Sequence, residues 1–365
     1  MKKILSCFLV CAFLCTGLYG CGSKKTELIE EAKDLTLSQE ISITPEQNDY
    51  GIPAYNFLKH IQSNYPGRVA GTEKETEMAV FILSVLLNGG YAESDIAIES
   101  FEIDDSTPMM DEAIQNVFDG GEKSNSSQNI LITKKGESEK TIIVGAHYDS
   151  AGTHGVDDNG SGEIRVFRVR RSGVSVALEN ALRMVNTPTD YTIQYVFFGS
   201  EEPGMYGSRA YVESLSEKER ENIILMINID TVLAGDYLYL YGGKVNDNGT
   251  VDNTEAVFKA YEIVKEIGLN IQLPPDGNND YPYPTGQKRS DHAPFNDIGI
   301  PYIYFEANNW ENGSPVETEK NGLIMHTDMD DLDFIENEYS GRVQNTLSSY
   351  SILLYSLLQE NNWEQ

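Results

Sequence analysis

Short apolar runs separated by amphipathic stretches constrain the fold of this chain more than any other feature. Five runs are rich in β-branched or aromatic residues and have the length of buried strands: 141–145, 192–198, 223–229, 237–241 and 302–305. Five stretches place apolar residues at helical spacing: 55–65, 75–87, 174–185, 254–267 and 342–358. This alternation predicts an α/β fold with a mixed, mostly parallel central sheet and helices on both faces. We expect a single domain, because the sequence has no internal repeat.

Polar side chains follow three of the predicted strands at the point where each strand ends. His147 and Asp149 come after the first run, Glu201-Glu202 after the second and Asp230 after the third. Open α/β sheets place their chemistry at the carboxyl ends of the strands. Adjacent glutamates directly after a buried run are unfavourable unless metal or protons neutralise them. Imidazoles and carboxylates without a thiolate suit a pair of zinc-like ions, so the pattern indicates a metal-dependent hydrolytic site.

Two further residues belong to the same inventory, although neither stands out alone. Asp158 lies in an Asp-Asn-Gly turn before a predicted helix, where a carboxylate can reach across two ions. His326 lies in a Met-His-Thr-Asp loop. Asp-Asn-Gly is mainly a turn signal, and a loop imidazole is most often an ordinary surface residue. Their order and setting in the chain, rather than either residue alone, make them candidates.

The N-terminal segment has the layout of a secretory signal. Lys2-Lys3 precedes an apolar run over 4–18 that is too short for an ordinary membrane span. The run ends in Leu-Tyr-Gly-Cys21, which resembles the lipobox of a bacterial lipoprotein. We therefore expect residues 1–20 to be a signal peptide and Cys21 to be lipidated. A plain secretory signal is the alternative, because Tyr19 departs from the small residue usual at its position.

The region after the signal changes character near residue 50. Residues 21–50 are polar, acidic and without clear periodicity, which predicts a lipid anchor with a flexible tether. A globular pattern follows, so the folded domain is expected over 51–365. All four cysteines lie at or before Cys21, which leaves the domain without a disulfide or a cysteine zinc site.

The chain is strongly acidic, with 27 basic and 57 acidic residues and a net charge of −30. This charge argues against nucleic-acid binding and against adsorption to anionic membranes. Contact with a membrane is expected through the lipid anchor only. The protein is therefore expected outside the cytoplasm, lipid-anchored to the bacterial cell membrane or secreted.

Six motifs occur in a characteristic order along the domain. They are Gly-Ala-His-Tyr-Asp-Ser, Asp-Asp-Asn-Gly-Ser-Gly, Gly-Ser-Glu-Glu-Pro-Gly, Asn-Ile-Asp, Ser290-Asp291-His292 with Gly299-Ile300-Pro301, and His326-Thr327-Asp328. Together they resemble the bacterial leucyl-type aminopeptidases of the co-catalytic di-zinc exopeptidase family. The resemblance runs from about Arg68 to the final helix. It implies a zinc peptidase domain that removes N-terminal residues from peptides with a free N-terminus.

The resemblance also implies a site with two zinc ions. His147 and Asp230 would hold one ion, Glu202 and His326 the other, and Asp158 would bridge them.

Two further residues would have catalytic roles without binding metal. Glu201 would be the general base for the attacking water, and Asp149 would orient His147. The Ser290-Asp291-His292 segment would organise the wall of the site.

The sequence departs from the family pattern at two places. Met325 occupies the position before the last histidine, where family members often carry a tyrosine. Residues 163–173 follow the Asn-Gly-Ser-Gly turn, carry a cluster of arginines and end in a second Ser-Gly. We interpret this segment as an insertion that bulges out as a basic loop, or displaces Asp158 and weakens metal binding.

Two alternatives to the aminopeptidase remain from the sequence. One is a glutaminyl cyclase, a related enzyme with similar strands and acids but one zinc. The other is a non-catalytic, surface-binding lipoprotein that kept the fold. The intact Asp-Asp-Asn-Gly-Ser-Gly turn favours the peptidase over the cyclase, and the retention of both ligand sets argues against the non-catalytic protein.

Overall fold

A seven-stranded sheet forms the centre of the molecule. The computed structural model describes residues 16–103, 124–150, 172–246, 248–277, 282–286, 290–311, 316–325, 327 and 329–363, with only the backbone of 16–23. Within these ranges the strands are β1 (Ile96–Glu102), β2 (Ser126–Lys134), β3 (Ser138–His147), β4 (Tyr191–Phe198), β5 (Ile223–Ile229), β6 (Tyr237–Tyr241), β7 (Lys244–Val245), β8 (Val251–Asp252) and β9 (Tyr302–Asn308). The sheet order is β1-β2-β4-β3-β5-β9-β6, and β7 pairs with β8 separately.

Helices cover the sheet. They are α1 (Thr16–Asp34), α2 (Ile52–Asn64), α3 (Glu73–Asn88), α4 (Ser172–Met184), α5 (Tyr206–Ser214), α6 (Glu217–Asn222), α7 (Glu255–Ile267), α8 (His292–Asp297), α9 (Leu332–Glu338) and α10 (Arg342–Gln359), with a 3-10 turn at Glu93–Asp95. The neighbouring strands β4, β3, β5 and β9 run parallel, whereas the pairs β1–β2, β2–β4 and β9–β6 are antiparallel. This confirms the predicted mixed, mostly parallel α/β sheet.

Side chains alternate between two apolar clusters on the opposite faces of the sheet. On β3, Val144 and Ala146 join the larger cluster, which also contains buried residues of α2, α3, α4 and α10. Ile143 joins the smaller cluster, together with Phe198 and residues from α5 and α8. Because the period along a strand is two, His147 and Asp230 extend from the face of the smaller cluster. The fold thus puts both residues on one side of the sheet.

Two antiparallel strands, β1 and β2, were not apparent in the sequence. Their apolar pattern is interrupted, since β1 is partly exposed and β2 begins with polar residues. In β2, Ser127, Gln128 and Asn129 are buried. Each has a specific partner; the amide of Gln128, for example, donates to the Tyr148 hydroxyl at 2.7 Å. Buried polar residues that are satisfied by tertiary contacts conceal a strand from an apolar-pattern search.

Part of the segment expected as a flexible tether is instead folded onto the domain. Helix α1 buries Leu28, Ile29 and Ala32, at the helical spacing i, i+1 and i+4, against the larger cluster. Lys25 donates to the carbonyl of Ile96. The tether prediction was therefore wrong for the second half of α1, because a short apolar stripe suffices to dock a helix. Among the described helices, none is both long and apolar enough to span a membrane.

The end of the predicted insertion belongs to the folded domain. Ser172 and Gly173 open α4, and the Ser172 hydroxyl accepts a hydrogen bond from the Val232 amide at 3.1 Å. A Cβ at Gly173 would lie 2.1 Å from the Ile229 carbonyl, so only glycine fits there. Residues 151–171 lie outside the described residues. Since Ser-Gly is repeated, the insertion predicted at 163–173 is equally well numbered 161–171.

Candidate metal centre

Three parallel neighbours in the sheet bring the candidate residues together. His147 ends β3, Asp230 follows β5 directly, and Glu201 lies in the turn after β4. In the β3–β5 register Gly145 pairs with Asn228, which places His147 beside Asp230 two residues later. The structure thus confirms that these three residues lie at the carboxyl ends of neighbouring strands.

The Asp149 carboxylate links the loop after β3 to the turn after β4. Its Oδ1 accepts from the Glu201 amide at 2.9 Å and lies 3.2 Å from His147 Nδ1. Its Oδ2 accepts from the Glu202 amide at 3.1 Å. Asp149 is fully buried, so these contacts are not exchanged with water. The carboxylate holds the His147 imidazole and the backbone of both glutamates in one arrangement. Because it contacts Nδ1, Nε2 is the ring nitrogen that can bind a metal ion.

Asp230 faces the other ring nitrogen of His147. Its Oδ1 lies 3.6 Å from Nε2, and its Oδ2 accepts the Ser290 hydroxyl at 2.6 Å. The Asn228 amide in turn donates to Ser290 at 2.7 Å. Nitrogen and oxygen ligands about 2 Å from a tetrahedral zinc lie roughly 3.4 Å apart. The His147–Asp230 pair therefore fits a shared zinc ion, and Ser290 fixes the carboxylate, as expected of the predicted site wall.

Two predicted ligands, Asp158 and His326, lie outside the described residues. Within the part of the chain that the structure describes, no three His, Cys, Asp or Glu side chains are grouped to hold a metal ion. The loop before His326 is held by buried Glu317, whose Oε2 accepts the amides of Ile324 and Met325, both at 2.5 Å.

The electrostatics of the site follow from several buried charges. Burial lowers the pKa of His147, but Asp149, Asp230 and Glu201 outweigh it, so the pKa lies well above the ordinary value in the metal-free protein. Burial lowers the pKa of Arg68 to about 10, against the charges of Asp149 and Glu202. The Arg68 guanidinium remains a cation and donates to the Tyr148 carbonyl at 2.7 Å. It offsets part of the negative charge next to the site.

The rest of the predicted wall lies deeper in the protein. Asp291 is fully buried, and burial raises its pKa to about 7. The His292 ring stacks between Tyr302 and Tyr304, with ring centroids 4.5 and 4.7 Å apart. Asp291 and His292 therefore lie beneath the proposed ligands, on the same face of the sheet as the smaller cluster.

Two buried acids close to the site were missed by the sequence reasoning. Glu75 lies on the same stripe of α3 as Met78 and Ile82, so an acid on an apolar helix face was the available signal. Glu306 follows the apolar run of β9 and accepts the Tyr241 hydroxyl, and the Trp310 indole donates to that hydroxyl at 2.7 Å. An acid at the end of a buried strand was its signal, as it was for Asp230.

Glu306 predicts a pH dependence of stability. Burial, with a smaller contribution from Asp230, raises its pKa from 4.5 to about 7. For an acid whose folded pKa is raised, stability is complete below the unfolded pKa and is lost as pH rises through the folded pKa. We expect this loss to be roughly 3 kcal/mol. Glu306→Gln should flatten the fall in unfolding free energy of the metal-free protein between pH 4.5 and about pH 7, measured by urea titration. An equal fall in variant and wild type would contradict this assignment.

A comparison with protein families decides the class of this site. The sequence profile described as "Peptidase family M28" matches residues 129–351, more than half of the chain. The chain belongs to peptidase family M28. Its match contains Asp149, Glu201, Asp230 and the other proposed site residues, whereas Arg68 and Glu75 lie before it.

Three relatives of this M28 chain are informative. The alkaline phosphatase isozyme conversion protein of Escherichia coli is 28% identical over 74% of this chain and 75% of its own length. Aminopeptidase YwaD of Bacillus subtilis is 32% identical over 58% of this chain, which spans 41% of that relative. The probable lipoprotein aminopeptidase LpqL of Mycobacterium tuberculosis is 36% identical over 28% of this chain and 19% of its own length. The family and these relatives identify the M28 chain as an enzyme of the metallopeptidase class.

Solved structures of the same fold confirm the architecture. A zinc aminopeptidase from Bacillus subtilis has a TM-score of 0.60 at 19% identity, covering 87% of this chain and 97% of its own. A glutaminyl cyclase from an Acidobacteriales bacterium has a TM-score of 0.57 at 17% identity, covering 87% of this chain and 99% of its own. At such identities the likeness concerns the fold of the M28 chain, which peptidases and cyclases share.

Proposed function

We propose that this protein is a zinc-dependent aminopeptidase that uses two metal ions. The observation that carries the proposal is the Asp149 carboxylate, which joins His147 to the backbone of Glu201-Glu202 while Asp230 lies 3.6 Å from the opposite ring nitrogen. His147 and Asp230 would hold one zinc. Glu202 and His326 would hold the second, with Asp158 between them.

The remaining residues carry the proton chemistry. When bound, the two ions would polarise the scissile carbonyl and lower the pKa of the attacking water. Glu201 takes a proton from that water as its oxygen bonds to the carbonyl carbon, and returns a proton to the amine that leaves when the C–N bond breaks. Asp149 holds Glu201 and the His147 imidazole in fixed relative positions during both proton transfers. Glu201 is 5% exposed, so little bulk water competes for its carboxylate.

A glutaminyl cyclase is the second candidate, favoured by the structural likeness to such an enzyme. Metal content and product separate the two functions. We expect two zinc ions per chain, and release of an intact N-terminal amino acid from a peptide that begins with leucine. One zinc per chain, with release of ammonia and formation of an otherwise intact peptide carrying an N-terminal pyroglutamyl residue from a peptide that begins with glutamine, would establish the cyclase instead.

We further propose that the enzyme is an extracytoplasmic lipoprotein, anchored through Cys21. The lipobox-like sequence and the lipoprotein named among its relatives support this location. Metabolic labelling with a clickable fatty acid should mark the wild type in the membrane fraction and leave Cys21→Ser unlabelled. Wild-type protein that is free of label in the medium would point to the plain secretory signal.

We predict that deleting the insertion next to Asp158 strengthens zinc binding. Removing 163–173 gives the same chain as removing 161–171, and it leaves the packed Ser-Gly pair at the start of α4 in place. If the insertion displaces Asp158, the shortened enzyme should bind zinc about tenfold more tightly, because the proposed bridging ligand regains its position. Zinc titration against a competing chelator, together with the peptidase rate, measures the effect. Equal affinity and rate in both forms would mean that the insertion is harmless.

A further inference from the structure

Glu75 is a fully buried acid that the proposed mechanism does not use. It lies in the first turn of α3 and is 1% exposed. Its Oε2 accepts the Gly71 amide at 2.8 Å, and its Oε1 accepts the Ser127 hydroxyl at 2.8 Å. The same Oε1 also accepts both the amide and the hydroxyl of Ser200, at 3.0 and 3.2 Å. The carboxylate thus reaches from an N-terminal helix to the turn that carries Glu201.

Ser200 has an unusual backbone conformation. Its φ is +54°, in the left-handed region that is unfavourable for residues other than glycine. The residue is fully buried, directly after Gly199 and directly before the two glutamates. Glu75 Oε1 binds it at two atoms, the backbone amide and the side-chain hydroxyl. The contact therefore holds Ser200 where an unrestrained serine would be unstable.

The turn packs too closely against its neighbours at Gly199 to admit a side chain. A Cβ at Gly199 would lie 2.6 Å from the Gln128 carbonyl and 3.0 Å from Glu75 Oε1. The chain is therefore pressed against β2 and Glu75 on one side, while the Glu201 and Glu202 amides bind Asp149 on the other. A change of φ at Ser200 would turn both amides away from Asp149.

We propose that Glu75 is a positioning residue for Glu201: by binding Ser200, it holds the turn in the conformation that directs Glu201 and Glu202 to Asp149. The role of Glu201 as base rests on the proposed function, whereas the hold on the turn does not. Glu75 lies outside the part of the chain matched by the family profile, so the N-terminal helices take part in shaping the site.

The test compares two isosteric changes at buried glutamates. Glu75→Gln leaves one acceptor oxygen and points an amide group at a backbone N–H, either that of Gly71 or that of Ser200. Glu179→Gln is the control, because Glu179 is also fully buried and accepts the amides of Gly51 and Ala54, away from the site. Its additional ion pair with Arg183 makes this change at least as destabilising as Glu75→Gln. Both variants should unfold at lower urea concentration. Only Glu75→Gln should speed amide hydrogen exchange in residues 199–202 of the metal-free protein.

The amide hydrogen exchange measurement tests the role of Glu75 independently of whether the protein hydrolyses peptides. Exchange in 199–202 that matches the wild type in Glu75→Gln, or that rises equally in Glu179→Gln, would overturn it. In the zinc-loaded enzyme we expect Glu75→Gln to lower kcat about tenfold or more with little change in KM, and Glu179→Gln to leave kcat within about twofold.

A second variant separates positioning from general destabilisation. Glycine adopts left-handed φ without the penalty that serine has. Adding Ser200→Gly to Glu75→Gln should therefore recover most of the lost kcat while leaving the unfolding midpoint low. A double variant no faster than Glu75→Gln alone would contradict a role exerted through Ser200.

Discussion

Glu201→Gln is expected to lower kcat by about a thousandfold or more while the protein keeps its fold and its zinc. The amide has the shape of the carboxylate but does not take a proton from water. The backbone contacts of residue 201 do not depend on this change, because its amide binds Asp149 and its carbonyl accepts the amides of Gly204 and Met205. The loss should therefore be confined to the chemical step.

Steady-state kinetics and zinc content measured on the same sample test this expectation. Glu202→Gln is the informative contrast, since a lost ligand should lower zinc content as well as rate. If Glu201→Gln retained more than about a tenth of the wild-type kcat, another group would have to be the base. If it lost its zinc, residue 201 would be a ligand instead.

Asp149→Asn is expected to have the second largest effect, and on two properties at once. The carboxylate accepts hydrogen bonds from the amides of Glu201 and Glu202 and contacts His147, and it is fully buried from solvent. Asparagine has one acceptor oxygen, so its NH2 group must face one of these donors. We expect the unfolding free energy to fall by about 2–3 kcal/mol. The value of kcat/KM should fall ten- to a hundredfold, because the imidazole and the base lose their common support.

Asp331→Asn is the matched control for this change. Its Oδ1 accepts the Phe334 amide at the start of α9, and its Oδ2 accepts the Gln62 side-chain amide at 3.0 Å on a half-buried surface. Asparagine keeps the cap and loses the second bond, so we expect stability within about 1 kcal/mol of the wild type and unchanged kinetics. Similar losses in both variants would mean that Asp149 has no special role.

The sheet was predictable because its central strands are continuous apolar runs. The runs at 223–229 and 237–241 coincide with β5 and β6, and the run at 192–198 lacks only the first residue of β4. The run at 141–145 lies in the middle of β3, and the run at 302–305 is the first half of β9. The antiparallel strands β1 and β2 at one side of the sheet were not predictable, since Gln128 and Asn129 of β2 take buried positions that only tertiary contacts make favourable. Docking of α1 was missed for the opposite reason: its apolar stripe is only three residues, short enough to be overlooked in a polar segment.

The site was predictable in part. Strand ends and residue chemistry placed His147, Asp149, Glu201 and Asp230 correctly at one edge of the sheet, because parallel neighbours align their carboxyl ends. The hydrogen bonds that Asp149 accepts from two backbone amides were not predictable, since they depend on the left-handed conformation of Ser200. The contact of Glu75 with that turn joins residues far apart in sequence, and local patterns carry no such information.

The most direct test of the proposed function is a chelation and zinc add-back experiment on a panel of aminoacyl chromogenic substrates, each paired with its N-acetylated counterpart. We expect hydrolysis of free-amine substrates only, its loss after the metal is removed, and its recovery as zinc is restored to two ions per chain. Activity that survives chelation, or no activity on any free-amine substrate at full zinc occupancy, would contradict a zinc-dependent aminopeptidase.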